Sequence, residues 1–251
     1  MTETVQLFIT CLLDTLYPHI GEAVVAVLQR TGIQVEFPKD QTCCGQPAYN
    51  AGLREQARPI AMHTIQVFEN TRGPIVIPSG SCASMIRHGY LELFADDDDW
   101  LARAKEIANR CYEFTEFLVD YLGVTELGAH FPGILTYHSS CHLSRDLGVK
   151  QQPLALLHAV QHAQVVELPK AEECCGFGGV FSTEYPQIST AMLARKINHI
   201  QTSGAPVIVS CDAGCMTNIN GGLNRQRKIQ RVVHIAEILA NTQTTSGKDS
   251  I

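Results

Sequence analysis

Apolar residues in this chain fall into short runs separated by stretches of helical spacing. Val5-Gln6-Leu7-Phe8-Ile9-Thr10 reads as a strand delivering Cys11, and Gly133-Ile134-Leu135-Thr136-Tyr137-His138 as its counterpart ahead of Cys141. From Glu22 to Arg30 the apolar positions recur at helical intervals, and Gly32 supplies the stop. Ile33 to Phe37 and Val165 to Leu168 are the next strands, each running into a proline. Ile75-Val76-Ile77 and Val207-Ile208-Val209 are wholly apolar and predict short buried strands. Strands alternating with helices predict an α/β fold with parallel sheets.

The pattern occurs twice. Val35-Glu36-Phe37-Pro38-Lys39, followed after three residues by Cys43-Cys44-Gly45, returns as Val166-Glu167-Leu168-Pro169-Lys170 and Cys174-Cys175-Gly176, displaced by 131 residues. Cys11 returns as Cys141, Cys82 as Cys215, and Tyr112-Glu113-Phe114-Thr115-Glu116-Phe117-Leu118 echoes Val233-His234-Ile235-Ala236-Glu237-Ile238-Leu239. Anchors in one order at a nearly constant offset mark a tandem duplication of an α/β unit with parallel strands. The copies are expected over residues 1–128 and 129–240, related by a pseudo-twofold axis, with a polar, disordered tail over 241–251. The first copy is longer after its last motif cysteine, and Ala95-Asp96-Asp97-Asp98-Asp99-Trp100 in that extra length reads as a solvated loop or helix start.

Composition narrows the class. The chain has 251 residues, 45% of them hydrophobic, enough to bury a core without covalent staples. With a net charge of −6 and no basic stretch, nucleic-acid binding is disfavoured. No apolar run has the length of a membrane span, and the first 21 residues carry Glu3 and Asp14 without a basic stretch. A cytoplasmic location is therefore expected, with any membrane association made through a partner.

Against that background ten cysteines need a reason. In a reducing compartment they are poor disulfide candidates, and vicinal pairs are more than gap-filling thiols require. Each copy places one cysteine after its first strand, a CCG loop after its second and another cysteine after its third. All therefore lie at the carboxyl ends of strands, where open α/β sheets bind ligands. Gly45 and Gly176 permit the turn that lets adjacent cysteines face one centre. The candidate metal ligands are Cys11, Cys43, Cys44 and Cys82 in copy one, and Cys141, Cys174, Cys175 and Cys215 in copy two. Four thiolates suit tetrahedral zinc or an iron–sulfur cluster, and disfavour magnesium or calcium. No C-x₂-C-x₂-C-x₃-C-P ferredoxin module is present. Cys111 aligns with Val232 and reads as a core residue. His19, His138 and His142 fit either a structural role or one beside the metal, and Gly176-Phe177-Gly178-Gly179 reads as a bend around it.

One cysteine, CCG some thirty residues on, and a further cysteine nearly forty residues later, twice over, is similar to the CCG domain of the heterodisulfide reductases and their relatives. The strings Cys43-Cys44-Gly45-Gln46-Pro47-Ala48, Pro78-Ser79-Gly80-Ser81-Cys82, Tyr137-His138-Ser139-Ser140-Cys141-His142, Cys174-Cys175-Gly176-Phe177-Gly178-Gly179 and His234-Ile235-Ala236-Glu237 most resemble the L-lactate utilisation protein A group. The resemblance implies iron–sulfur clusters of 4Fe-4S type, one per repeat, and an electron-transfer subunit of an oxidoreductase that converts L-lactate to pyruvate. It also implies two partners, a ferredoxin-type iron–sulfur subunit and a third small lactate-utilisation subunit, and little activity from this chain alone. The heterodisulfide reductase relatives end each repeat in C-x-x-C with a fifth thiolate. Here Cys211-Asp212-Ala213-Gly214-Cys215 has a wider spacing, which makes Cys211 a further candidate ligand in copy two, and copy one has Pro78 or Ser79 at that place. The alternatives are a catalytic subunit acting on thiol or disulfide substrates and a zinc-bound scaffold.

Overall fold

A computed structural model describes residues 3–242. The first copy runs β1 (Thr4–Leu7), α1 (Cys11–Leu16), α2 (Pro18–Arg30), β2 (Gln34–Glu36), α3 (Gln46–Asn50), α4 (Arg54–Glu69), β3 (Ile75–Ile77), α5 (Gly80–Ser84), α6 (Tyr90–Leu93), α7 (Asp98–Arg110), β4 (Cys111–Glu113) and α8 (Phe114–Glu116). A π-helical stretch, Met85–Gly89, joins α5 to α6, and another, Phe117–Tyr121, extends α8. The second copy runs β5 (His130–His138), a π-helical turn (His142–Asp146), α9 (Gln151–His158), β6 (Gln161–Val166), α10 (Phe181–Glu184), α11 (Pro186–Ser203), β7 (Val207–Ser210), α12 (Ala213–Arg225), β8 (Arg231–His234) and α13 (Ile235–Ala240).

Each copy is a four-stranded parallel sheet, in the orders β2-β1-β3-β4 and β6-β5-β7-β8. The orders are the same, so the duplicated α/β fold is present in full. Strands β3 and β7, which hold the wholly apolar runs, sit inside the sheets and are buried along their length, as strands covered on both faces must be.

The fourth strands, β4 and β8, answer to no apolar run in the sequence. Each is short and leads directly into a helix capped by its own last residue, so its signal is absorbed into that helix. The helix expected from Glu22 begins earlier, at Pro18, where the ring pre-sets the first turn and the missing N–H costs nothing. The acidic run opens α7: Asp97 accepts from the Trp100 N–H at 3.2 Å, and Asp96 pairs with Arg58 at 2.7 Å. Helix α7 is the extra length of copy one.

The copies interlock. α2 of the first packs on α13 of the second, and α8 of the first on α9 of the second, the reciprocal exchange a pseudo-twofold demands. One hydrophobic core runs through both, from Val5, Val24 and Phe117 to Leu135, Ile208 and Leu239. Arg30 secures the seam by donating to the carbonyls of Leu127, Leu239 and Ala240 at 3.0, 2.8 and 2.8 Å. Asn241 and Thr242, the first residues of the expected tail, pair back onto strand β5. The Asn241 carbonyl accepts from the His130 N–H at 2.7 Å, and Thr242 bridges Ala129. Residues 243–251 lie outside the described residues.

Candidate metal centre

Each motif cysteine owes its position to a strand end. Cys11 is the first residue of α1, just past β1, and Cys141 precedes the π-helical turn past β5. Cys82 and Cys215 sit in the first turns of α5 and α12, capped by Ser79 and Asp212. In the CCG loops Gly45 and Gly176 adopt φ of 84° and 86°, the left-handed region, and each glycine N–H points at the sulfur two residues earlier, Cys43 or Cys174, at 3.4 Å. The carbonyl of the second cysteine in each pair is also held. Tyr90 donates to Cys44, and Asn218 to Cys175, both at 2.9 Å.

The two sets of thiols meet at one place. Cys11 and Cys43 sulfurs are 3.7 Å apart, Cys44 and Cys82 3.4 Å, and Cys175 and Cys215 3.2 Å. Cys141 and Cys174 stand close enough to perturb each other's protonation. All eight line a single cavity of about 170 Å³, which Ser79, Ser81, His142, Phe177 and Asp212 also wall. These are contacts between free thiols, well beyond the ~2.05 Å of a disulfide bond.

Electrostatics repeats in both copies. The Cys11 thiol donates to Cys43, and with the neighbouring Cys44 thiol and the Gly45 N–H it pulls the Cys43 pKa far down. Cys11, hydrogen-bonded to Cys43 and partly buried, is pushed up. Cys174 is lowered by Cys141, Cys175 and the Gly176 N–H, and Cys141 is raised in turn. Such a cluster keeps most of its protons until a cation replaces them. Soft, buried and convergent, the donor set fits zinc or an iron–sulfur cluster. Among the described residues Asp212 is the one carboxylate in the wall. Its oxygens already accept from Ser79 Oγ at 3.1 Å and from the N–H groups of Ser81 and Gly214, each at 3.0 Å.

Several candidates lie elsewhere. Cys211 is fully buried beside the Tyr137 hydroxyl at 3.7 Å and is not among the residues lining the cavity. Its side chain is part of the core; its carbonyl accepts from the Gly80 N–H at 3.4 Å across the seam. Cys111 is buried at the start of β4, where burial raises its pKa to about 12. His19 is exposed and faces Glu237 at 3.5 Å. His142 does line the cavity, with Nδ1 3.8 Å from the Cys141 sulfur.

Sequence reasoning passed over Asp212 and Ser79 as site residues. They are the same position in the two copies, each the cap of a cysteine-bearing helix, and they hydrogen-bond each other across the pseudo-twofold axis. The offset that aligns Cys82 with Cys215 also aligns Ser79 with Asp212, so the signal was available.

Two parallel α/β units that turn four thiols each into a common cavity define a tandem cysteine-rich protein, and the Cysteine-rich domain family (CCG) matches at residues 5–87 and again at 135–220. Lactate utilization protein A 2 of Bacillus cereus (strain AH820) is 45% identical over 236 residues, 94% of this chain and 97% of that protein. The corresponding protein of Bacillus mycoides (strain KBAB4) is 48% identical over 235 residues, 94% of this chain and 98% of that one. The chain belongs to the lactate utilization protein A family. Among solved structures, a hypothetical protein from Helicobacter pylori shares the fold with a TM-score of 0.68 at 11% identity, across 99% of this chain and 50% of that one.

Proposed function

We propose that this chain is an iron–sulfur electron-transfer subunit of an oxidoreductase that converts L-lactate to pyruvate, with one cluster of 4Fe-4S type held by each thiol quartet. The observation that carries the reading is the convergence of eight free thiols, four from each copy, on one cavity. Cys11, Cys43, Cys44 and Cys82 would hold the first centre, and Cys141, Cys174, Cys175 and Cys215 the second. Bound there, an iron–sulfur cluster accepts and releases electrons singly, which suits a two-electron oxidation divided between two centres. The chain's own residues bury the centres, hold the CCG loops and direct backbone N–H groups at the sulfurs.

The relatives are named for lactate utilization, and that is the basis for the substrate. A ferredoxin-type iron–sulfur subunit and a third lactate-utilisation subunit are the proposed partners, and this chain alone is expected to turn over little lactate. Ten unpaired cysteines suit the reducing cytosol, and among the described residues no helix is long and apolar enough to cross a membrane.

Zinc is the rival occupant. The sulfur spacings of 3.2 to 3.7 Å are near the roughly 3.8 Å edge of a zinc–thiolate tetrahedron. Metal and sulfide analysis of anaerobically purified protein separates the two. Iron with acid-labile sulfide, visible absorbance and an EPR signal on reduction are expected, and Cys43→Ser should lower the iron content by roughly half. Stoichiometric zinc in colourless, sulfide-free protein would sink the proposal.

A further inference from the structure

The two thiol quartets have different surroundings. Gln6 pairs with Ile75 in copy one, and Thr136 with Ile208 in copy two, so the register sets Phe8 where copy two has His138. Phe8 is buried against Phe68, ring centroids 5.6 Å apart, and offers the copy-one thiols no polar side-chain atom. His138 is 1% exposed, with the Ala171 backbone nearby, yet among the described residues neither ring nitrogen reaches a partner at good hydrogen-bond geometry. One of those nitrogens lies with the sulfurs of Cys175 and Cys215 inside a 4.8 Å group. A buried imidazole left without a partner is unfavourable. A partner arriving with whatever the thiols hold removes that cost.

We propose that His138 donates a ring N–H to a sulfur of the copy-two centre, and that this makes copy two the higher-potential, electron-accepting member of the pair. This rests on the iron–sulfur reading above. Reduction adds negative charge to the cluster, and a hydrogen bond to its sulfur disperses that charge, so the reduced state gains. Copy one, with Phe8, gains nothing of the kind. In the transfer one electron leaves the copy-one centre, one enters the copy-two centre, and the imidazole keeps its proton. His138 is thus a positioning residue for charge, because four thiolates already complete each set.

A second difference points the same way. Gly45 faces the Ala57 carbonyl and Gly176 the Ser189 carbonyl, which aligns Thr64 with Lys196. Lys196 is fully buried, and its Nζ donates to the carbonyls of Lys170 and Ala171, at 2.8 and 3.2 Å, where the second CCG loop begins. An ammonium there favours added negative charge on copy two, and Thr64 supplies none to copy one.

The test is a redox titration of the full-length, cluster-loaded protein, followed by EPR and visible absorbance, after iron and sulfide have been counted. Cys82→Ser, which breaks the copy-one set, assigns the signals. Two midpoints are expected, the higher one from copy two. His138→Phe should shift the copy-two reduction equilibrium about tenfold toward the oxidised form, about 59 mV for one electron, and leave copy one unmoved. His138→Asn, which keeps an N–H, should retain part of the gap. The reciprocal Phe8→His should raise the copy-one midpoint, and it decides the matter if His138→Phe fails to load. Unmoved midpoints in iron-replete variants would overturn the proposal, as would the strong nitrogen coupling of direct ligation in pulsed EPR. Wild-type protein without iron would instead refute the iron–sulfur reading itself.

Discussion

Glu113 and His234 occupy one position in the two copies, the last residue of the fourth strand. Each caps the helix that follows, and both are fully buried. Glu113 accepts from the N–H groups of Thr115 and Glu116 at 2.7 and 3.3 Å, and His234 Nδ1 from that of Ala236 at 3.2 Å. Burial moves them in opposite directions, because it penalises whichever form is charged. Glu113 rises from 4.5 to about 8, and His234 falls from 6.5 to about 4. The folded chain keeps the Glu113 proton that the unfolded chain releases, so this contribution is full below 4.5 and lost as pH rises through about 8. It keeps His234 neutral where the unfolded chain is charged, so that contribution is full above 6.5 and lost as pH falls through about 4. The Glu113 contribution is on the order of 5 kcal/mol and the His234 contribution on the order of 3 kcal/mol. Urea unfolding of the loaded protein across pH 4 to 8 should show Glu113→Gln flattening the alkaline side and His234→Gln the acid side. Variant curves parallel to the wild type would count against both assignments. Little of this is legible in the chain, where Glu113 and His234 differ in charge. Only the repeat places them together, and only burial gives them their consequence.

At the scale of elements, the CCG loop was the most legible part of the site and the fourth strand the least. A vicinal cysteine pair followed by glycine demands a sharp turn whatever surrounds it, and both glycines take positive φ. What the motif does not disclose is how tightly each turn is packed. A Cβ on Gly176 would stand 2.7 Å from the Ser189 carbonyl oxygen, whereas on Gly45 its nearest neighbour would be the Ile60 methyl carbon at 3.4 Å. Alanine at either site incurs the left-handed backbone cost of about 1–2 kcal/mol. Gly176→Ala adds a clash with α11 that backbone must yield to relieve. It should therefore cost about 1 kcal/mol more in denaturant unfolding than Gly45→Ala, and deplete iron from copy two rather than copy one. Equal losses would mean that the second loop yields as freely as the first. Strands β4 and β8 escaped notice because parallel pairing to β3 and β7, a long-range contact, defines them more than their own residues do.

For the whole molecule, the duplicated α/β plan and the common edge of the two quartets follow from the repeat, but their dependence on one another does not. That dependence runs through Asp212. One carboxylate oxygen caps α12, accepting from the N–H groups of Gly214 and Cys215 at 3.0 and 3.4 Å. The other crosses the seam to Ser79 Oγ and the Ser81 N–H, at 3.1 and 3.0 Å, where α5 carries Cys82. A side chain of copy two thus helps fix a thiol of copy one. Asp212→Ala would strip all four donors of their acceptor, at a cost of about 2–4 kcal/mol, and should loosen both centres, with iron lost from each. Asp212→Asn keeps one acceptor oxygen but turns an amide N–H toward donors, so it should fall between. Asp146 serves as the control, since it also crosses the seam, to Ser84 Oγ at 3.0 Å, but lies outside the cavity wall. Asp146→Ala should lower stability without changing iron content. If Asp212→Ala emptied copy two alone, as assigned by EPR, the two centres would be mechanically independent and the shared cavity would be no more than an adjacency.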